Sequence, residues 1–221
     1  MAEDVKPRRR YDSRRRAAQA AQTRQEILAA AGKLFRVRGY AGTSMAQVAM
    51  EAGVVVETIY RSFGSKPALF RAVMEAVLAG GAARADVPVE ERPAIHAIIE
   101  EPDPRRQIAL YVATQPGIHR RSGPLLRALR DGMASDPELR AVWDEMEGWR
   151  LDGQGRFVAM LADKGALRAG LSFEQARDVV WTLCSLAVHD SLVVERGWTR
   201  ERYQEWLTSA LARELLNGAG A

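Results

Sequence analysis

Proline placement constrains what this 221-residue chain can fold into more than any other feature. None stands between Pro7 and Pro67 or after Pro137, whereas Pro88, Pro93, Pro102 and Pro104 crowd one stretch. An internal proline removes a backbone donor and clashes with the preceding turn, so long helices suit the outer segments and residues 79–104 must be broken. No stretch shows the alternating β-branched pattern of strands joined by hairpin turns. The chain therefore reads as all-α.

Apolar spacing places the helices. Ile27, Ala31, Leu34 and Phe35 share one face of a helix over Thr23–Arg38, and Gly39 follows where a left-handed cap belongs. Ser44 and Gln47 form a capping box for a second helix, which Gly53 stops. A third helix runs after Val54 through Tyr60 to Ser62. Ser65 caps a fourth that tolerates Pro67 in its first turn. Further on, Asp136-Pro137 opens a long helix with Leu139, Val142, Trp143, Met146, Trp149, Phe157 and Leu161, ending near Gly165. Ser172 and Gln175 cap a helix over 173–193 with a stripe of Phe173, Ala176, Val180, Leu183, Cys184 and Ala187. Thr199 caps the last helix, 200–216, where Tyr203, Trp206, Leu207, Ala210, Leu211 and Leu215 recur at helical spacing. Residues 105–134 read as helical with breaks at Pro116-Gly117 and Gly123-Pro124.

Composition narrows the setting. Hydrophobic residues at 47% and charged residues at 27% suit a soluble globular protein. One cysteine, Cys184, excludes an internal disulfide framework and points to a reducing cytoplasm. The opening MAEDVKPRRR lacks the apolar run of a signal peptide, and Val179–His189 is too short to span a bilayer. A cytoplasmic protein without a membrane partner is expected. The net charge of +4 lies almost wholly in the first two dozen residues, with Lys6, Arg8, Arg9, Arg10, Arg14, Arg15, Arg16 and Arg24 against Glu3, Asp4 and Asp12. Residues 1–20 read as a basic flexible arm, suited to phosphate polyanions or acting only as a solvated tail.

The stretch SMAQVAMEAGVVVETIYRSF, residues 44–63, has the requirements of a helix-turn-helix. Ala49 permits close crossing, Gly53 accepts positive φ in the turn, and Val48, Val54 and Ile59 point inward. The second helix is then free to enter a major groove with its early side chains toward base edges. As a bare helix–Gly–helix pattern, many helical hairpins would match it.

The flanking residues go further. Phe35, Gly39-Tyr40, Thr43-Ser44, Ala52-Gly53-Val54, Thr58-Ile59-Tyr60, Phe63, Ser65-Lys66 and Leu69-Phe70, spread without a gap from Thr23 to Glu75, resemble the N-terminal domain of the tetracycline-repressor (TetR) family. The resemblance implies a three-helix DNA-binding domain over 21–66 and a larger helical effector-binding and dimerisation domain over 67–221. It implies that Thr43, Ser44, Tyr60 and Lys66 meet DNA phosphates and that Val55, Val56, Glu57, Thr58 and Arg61 face the groove. Thr58 and the two valines suit thymine methyls, and Arg61 suits a guanine or a phosphate. Glu57 either accepts from cytosine or favours the helix N-terminus. Where the family often has a Ser or Thr cap, this chain has Val55. The arm Arg8, Arg9, Arg10, Arg14, Arg15 and Arg16 exceeds the family minimum and is expected on phosphates or in a flanking minor groove.

The same resemblance implies a homodimer on a palindromic operator, paired through the last two helices by Phe173, Val180, Leu183, Ala187, Trp206, Leu207 and Leu211. An unidentified small-molecule effector would sit among helices of 67–165, with Tyr111, His119, Trp143, Met146, Trp149 and Phe157 as candidate lining. For any one of these lining residues, plain core packing is the stronger reading. His96, His119 and His189 lack metal-ligand spacing, and Cys184 reads as a small core residue. No phosphate loop, nucleophile elbow or paired ligand set suggests an enzyme or a bound cofactor. The expected function is a ligand-responsive repressor that releases DNA when effector shifts its conformational population. The competing reading is a helical protein-interaction adaptor or a ligand-independent regulator.

Overall fold

Helix boundaries in this protein fall on residues whose local chemistry suits them. The computed structural model describes residues 8–80, 87–133 and 137–217, with side chains from Arg15 onward. Its α-helices are α1 Arg8–Arg38, α2 Met45–Ala52, α3 Val56–Phe63, α4 Lys66–Ala79, α5 Pro93–Glu100, α6 Pro104–Gly132, α7 Pro137–Asp163, α8 Phe173–Leu183, α9 Leu186–His189 and α10 Arg200–Leu215. A 3₁₀ turn occupies Val89–Glu91, and Asp190–Glu195 is π-helical. Among the described residues the only β pairing is an isolated bridge between Leu167 and Leu216, so the fold is all-α. Among them no helix is long and apolar enough to cross a membrane.

The chain divides into two compact units, Met1–Ala85 and Asp86–Ala221. In the first, α4 packs on α1, and the aromatic rings of Phe35, Tyr40 and Phe70 meet at centroid distances of 5.0 to 5.8 Å. Helix α4 thus belongs with the helix-turn-helix, whereas the sequence places the start of the second domain at residue 67. Ile27, Val48, Ile59, Leu69 and Val73 of this unit are buried as well.

The second unit gathers α5–α8 and α10 around Ile108, Val112, Phe157, Val158, Leu161, Val180, Tyr203, Leu207, Leu211 and Leu215. Gln107 is buried there with its amide satisfied: it donates to the Ile98 carbonyl at 2.7 Å and accepts from Lys164 Nζ at 2.7 Å.

Three expectations need correction. The basic arm is helical from Arg8, because residues 17–22 (AAQAAQ) are strong helix formers and nothing interrupts them. Residues 1–7 and the side chains of Arg8, Arg9, Arg10 and Arg14 lie outside the described residues; Arg15 and Arg16 are exposed. Helix α6 runs unbroken through Pro116 and Pro124. Buried Val112, Gln115, His119, Ser122 and Leu125 hold both sides of each proline in place, which offsets the lost backbone bonds. The helix expected over 173–193 breaks at Cys184, where Ser185 caps a new turn by accepting from the Val188 N–H.

Candidate functional site

The helix-turn-helix follows from three local devices and one uncapped start. Ser44 Oγ accepts from the Gln47 N–H at 3.2 Å and Gln47 Oε1 accepts from the Ser44 N–H at 2.9 Å, which closes the capping box of α2. Gly53 ends that helix at φ 67°, a left-handed conformation that a side chain disfavours. Helix α3 starts at Val55 with no side-chain cap, so the family departure visible in the sequence is real in the structure. Ser65 caps α4 by accepting from the Ala68 N–H.

Helix α3 is held by one side only. Ile59 is fully buried beneath it. From α1, Arg24 lies 4.3 Å from the Phe63 ring centroid and donates to the Ser62 carbonyl at 3.2 Å, which fixes the C-terminal turn of α3. Lys33 of α1 pairs with Glu51 of α2 at 2.6 Å and holds the Glu51 carboxyl below its ordinary pKa. The opposite face of α3 is open. Val55 is 65% exposed and Tyr60 50% exposed, with Glu57 and Arg61 exposed beside them. Val56 and Thr58 are half-buried, and Arg61 donates to Thr58 Oγ1 at 3.3 Å. Lys66, half-buried at the start of α4, has its ammonium 4.0 Å from the Tyr40 ring centroid.

One expected phosphate ligand is corrected. Thr43 is 2% exposed and its hydroxyl donates to the Gly39 carbonyl at 2.8 Å, closing the α1–α2 turn. The exposed hydroxyl at this helix start is Ser44, beside the first-turn N–H groups of α2. A prediction follows from the bare start of α3. Val55→Ser supplies an oxygen to the first-turn N–H groups and should stabilise the unit by about 1 kcal/mol, raising its melting temperature. An unchanged melting temperature would show that α3 gains nothing from a cap.

The second unit contains a buried polar cluster. The Tyr111 ring stacks on Phe157 at 3.9 Å, and the amides of Gln115 and Gln154 face its hydroxyl, whose pKa burial raises well above 10. The His119 and His189 rings lie 4.6 Å apart, and Tyr203 meets His189 edge-on at 5.3 Å. Burial pushes the Cys184 thiol up to about 12 and raises the Tyr203 phenol as well. Burial, with His189 beside it, lowers His119 from 6.5 to about 3.

That depression carries a sign. The unfolded chain binds a proton at His119 below about pH 6.5 and the folded chain does not until about pH 3. Stability therefore falls as pH drops through that window, and His119→Gln should flatten the fall in denaturant titrations at pH 4 and pH 7. An equal fall in the variant would assign the pH response to other groups.

Of the expected lining, the structure brings Tyr111, His119 and Phe157 into this region. Met146 is buried outside the core that holds Phe157, and the half-buried Trp143 and Trp149 do not pack against that core either. Gln115, Gln154, His189 and Tyr203 were not among the expected lining. Their signal was present: Gln154 stands in the buried register of Met146, Val158 and Leu161, and Gln115 and His119 in that of Ile108 and Val112.

The expected dimer residues separate as well. Val180, Leu207 and Leu211 are fully buried in the chain's own core and cannot face a second subunit. Phe173 and Ala187 are exposed, and Leu183 and Trp206 are half-buried. Leu183 and Trp206 line an open groove of about 860 Å³ between α8 and α10, together with Leu171, Val179, Asp178 and Arg213.

Residues 27–73, which hold all of α2 and α3, match the family described as bacterial regulatory proteins, tetR family. This stretch is a DNA-binding domain of the tetR family. The chain that carries it is a DNA-binding transcriptional regulator, and regulators with this domain are not enzymes. No curated protein sequence matches it. Solved structures share the fold of this chain. NalD of Pseudomonas aeruginosa, the secondary repressor of the MexAB-OprM multidrug efflux pump, is 21% identical; 89% of this chain and 98% of NalD align with a TM-score of 0.64. FadR of Bacillus subtilis, a transcriptional regulator in complex with stearoyl-CoA, is 17% identical over 86% of this chain and 97% of its own, at 0.66. A Saccharomonospora viridis protein in complex with choline is 18% identical over 89% and 98%, at 0.64.

Proposed function

We propose that this regulator is a cytoplasmic homodimeric repressor that reads a palindromic operator and releases it on binding a small molecule. The observation that carries the DNA part is the one-sided mounting of α3. Ile59 and Arg24 anchor the helix, while Val55, Glu57, Tyr60 and Arg61 remain exposed on it. Side chains on such a face reach base edges when the helix lies in a major groove. Ser44 with the first turn of α2 on one side, and Lys66 on the other, supply phosphate contacts. Arg15 and Arg16 extend the basic surface along α1, which presents arginines at helical spacing rather than on a loose tail.

Dimerisation follows from the geometry of DNA. Two recognition helices read successive half-sites only when about 34–36 Å apart. The α8–α10 groove suits a second copy, since it presents apolar Leu171, Leu183 and Trp206 with charges of both signs, Asp178 and Arg213. A patch with both signs can meet itself across a two-fold axis. The ligand part rests on the buried polar cluster and is supported by FadR and the Saccharomonospora viridis protein, which share this fold and were solved with small molecules. Ligand acts only through differential affinity for the DNA-competent and incompetent conformers. Selection from a random duplex library should return a palindrome. Salt-sensitive retention with no consensus would favour an adaptor with a basic surface.

A further inference from the structure

Among the described residues, four buried polar atoms of the second unit have no hydrogen-bond partner: Arg177 Nε on α8, and the three that matter here, His119 Nε2, Gln154 Oε1 and Tyr203 Oη. The residues of these three are 7%, 3% and 0% exposed and come from three different helices, α6, α7 and α10. Native interiors retain few such atoms, and each is a lasting cost unless something supplies the missing bond. They are also connected. Tyr203 meets His189, which meets His119. Gln154 faces the Tyr111 hydroxyl, and Cys184 is near enough to raise both the Tyr111 and the Tyr203 phenols.

The two charged side chains that act on the cluster, Arg150 and Asp190, are already engaged. Arg150 pairs with Glu147 at 2.7 Å, donates to the Trp181 carbonyl at 2.8 Å and lies 4.4 Å from the Trp181 ring centroid. Asp190 pairs with Arg127 at 2.7 Å and with His189 Nδ1 at 3.2 Å. An ionised guest would lose its hydration with no counter-charge free to replace it. The walls are weakly helical: α6 carries Pro116, Gly117, Gly123 and Pro124, and α7 carries Gly148, Gly153 and Gly155. Such positions are where helices bend and part at least cost.

We infer that this cluster binds a small, uncharged, planar molecule of the carboxamide or lactam class, whose N–H donates to Gln154 Oε1 and whose carbonyl accepts from the Tyr203 hydroxyl. His119 Nε2 takes a further polar group on the same edge, and the Tyr111–Phe157 stack supplies the flat wall. The inference rests on the ligand-responsive reading above and adds the chemistry of the ligand.

The test uses three probes of one shape and different charge: benzamide, benzoate and benzamidine, titrated at pH 7 into the full chain by ligand-observed NMR. Benzamide should bind at least about tenfold tighter than either ion. Gln154→Leu and Tyr203→Phe should each weaken it about tenfold. Tyr203→Phe should also raise the melting temperature of the free protein, because it deletes an unpaired buried hydroxyl. Equal or tighter binding of either ion, no saturable benzamide binding, or a lower melting temperature for Tyr203→Phe with unchanged benzamide affinity would overturn the inference. Duplex selection on the same protein separates the two levels. A consensus without benzamide preference removes the ligand class alone. Benzamide binding that leaves duplex affinity unchanged upholds the ligand class and removes ligand-responsive repression.

Discussion

Phe35→Ala should unfold the DNA-binding unit or leave it close to unfolding. The Phe35 side chain is fully buried, and its ring lies 5.8 Å from Tyr40 and 5.0 Å from Phe70. Truncating a buried phenylalanine costs about 3–5 kcal/mol through lost burial and the cavity left behind. Whole domains are commonly stable by about 5–15 kcal/mol, so a unit of some eighty residues has little left to lose. Tyr40 is also the ring under the Lys66 ammonium, so loss of the aromatic triad loosens the start of α4. Amide hydrogen exchange checks this. Protection in α1–α4 should collapse, and DNA retardation should vanish with it. Undiminished protection would mean that the three rings are not what holds this unit together.

The second large effect separates a core from an interface. Leu211→Ala removes a fully buried side chain of α10 that packs with Val180, Leu207 and Tyr203, and should cost about 2–5 kcal/mol. The loss should appear in denaturant unfolding extrapolated to the dilute, monomeric limit, because the side chain touches only its own chain. Trp206 is the contrast. It is half-buried and lines the α8–α10 groove, so Trp206→Ala should shift the dimerisation constant more than the unfolding midpoint at that limit. If Leu211→Ala instead shifted only the dimerisation constant, the assignment of α10 faces to core and groove would be reversed.

What was legible in the sequence was what is decided locally. Ser44 with Gln47, Gly53, Ser65 and Thr199 each fix a helix end through atoms a few residues apart, and the structure places each as read. The bare Val55 start was legible for the same reason. Three things were not, two of them because they depend on distant packing. An apolar stripe shows that a helix face is covered but not by what, so Val180, Leu207 and Leu211 read equally well as an interface. Pro116 and Pro124 read as breaks because the buried residues on both sides of them are held by other helices, out of reach of a local rule. Thr43 read as a phosphate ligand from its place in a motif, while its burial against the Gly39 carbonyl depends on the turn it closes. The polar cluster was half legible: Gln115 and Gln154 stand in apolar registers, but only the fold shows that they face one tyrosine.

In the proposed function the open face of α3 reads bases while the helix ends beside it hold phosphates. The most direct measurement repeats the duplex selection with Arg61→Ala and Lys66→Ala and follows affinity against salt. The Arg61 variant should relax preference at one position per half-site at a cost of about 1–3 kcal/mol. The Lys66 variant should keep the consensus, weaken all duplexes alike and lower the salt slope by about one unit for each phosphate it no longer neutralises. A consensus unchanged by Arg61→Ala, with both variants weakening every duplex equally, would contradict base reading by α3.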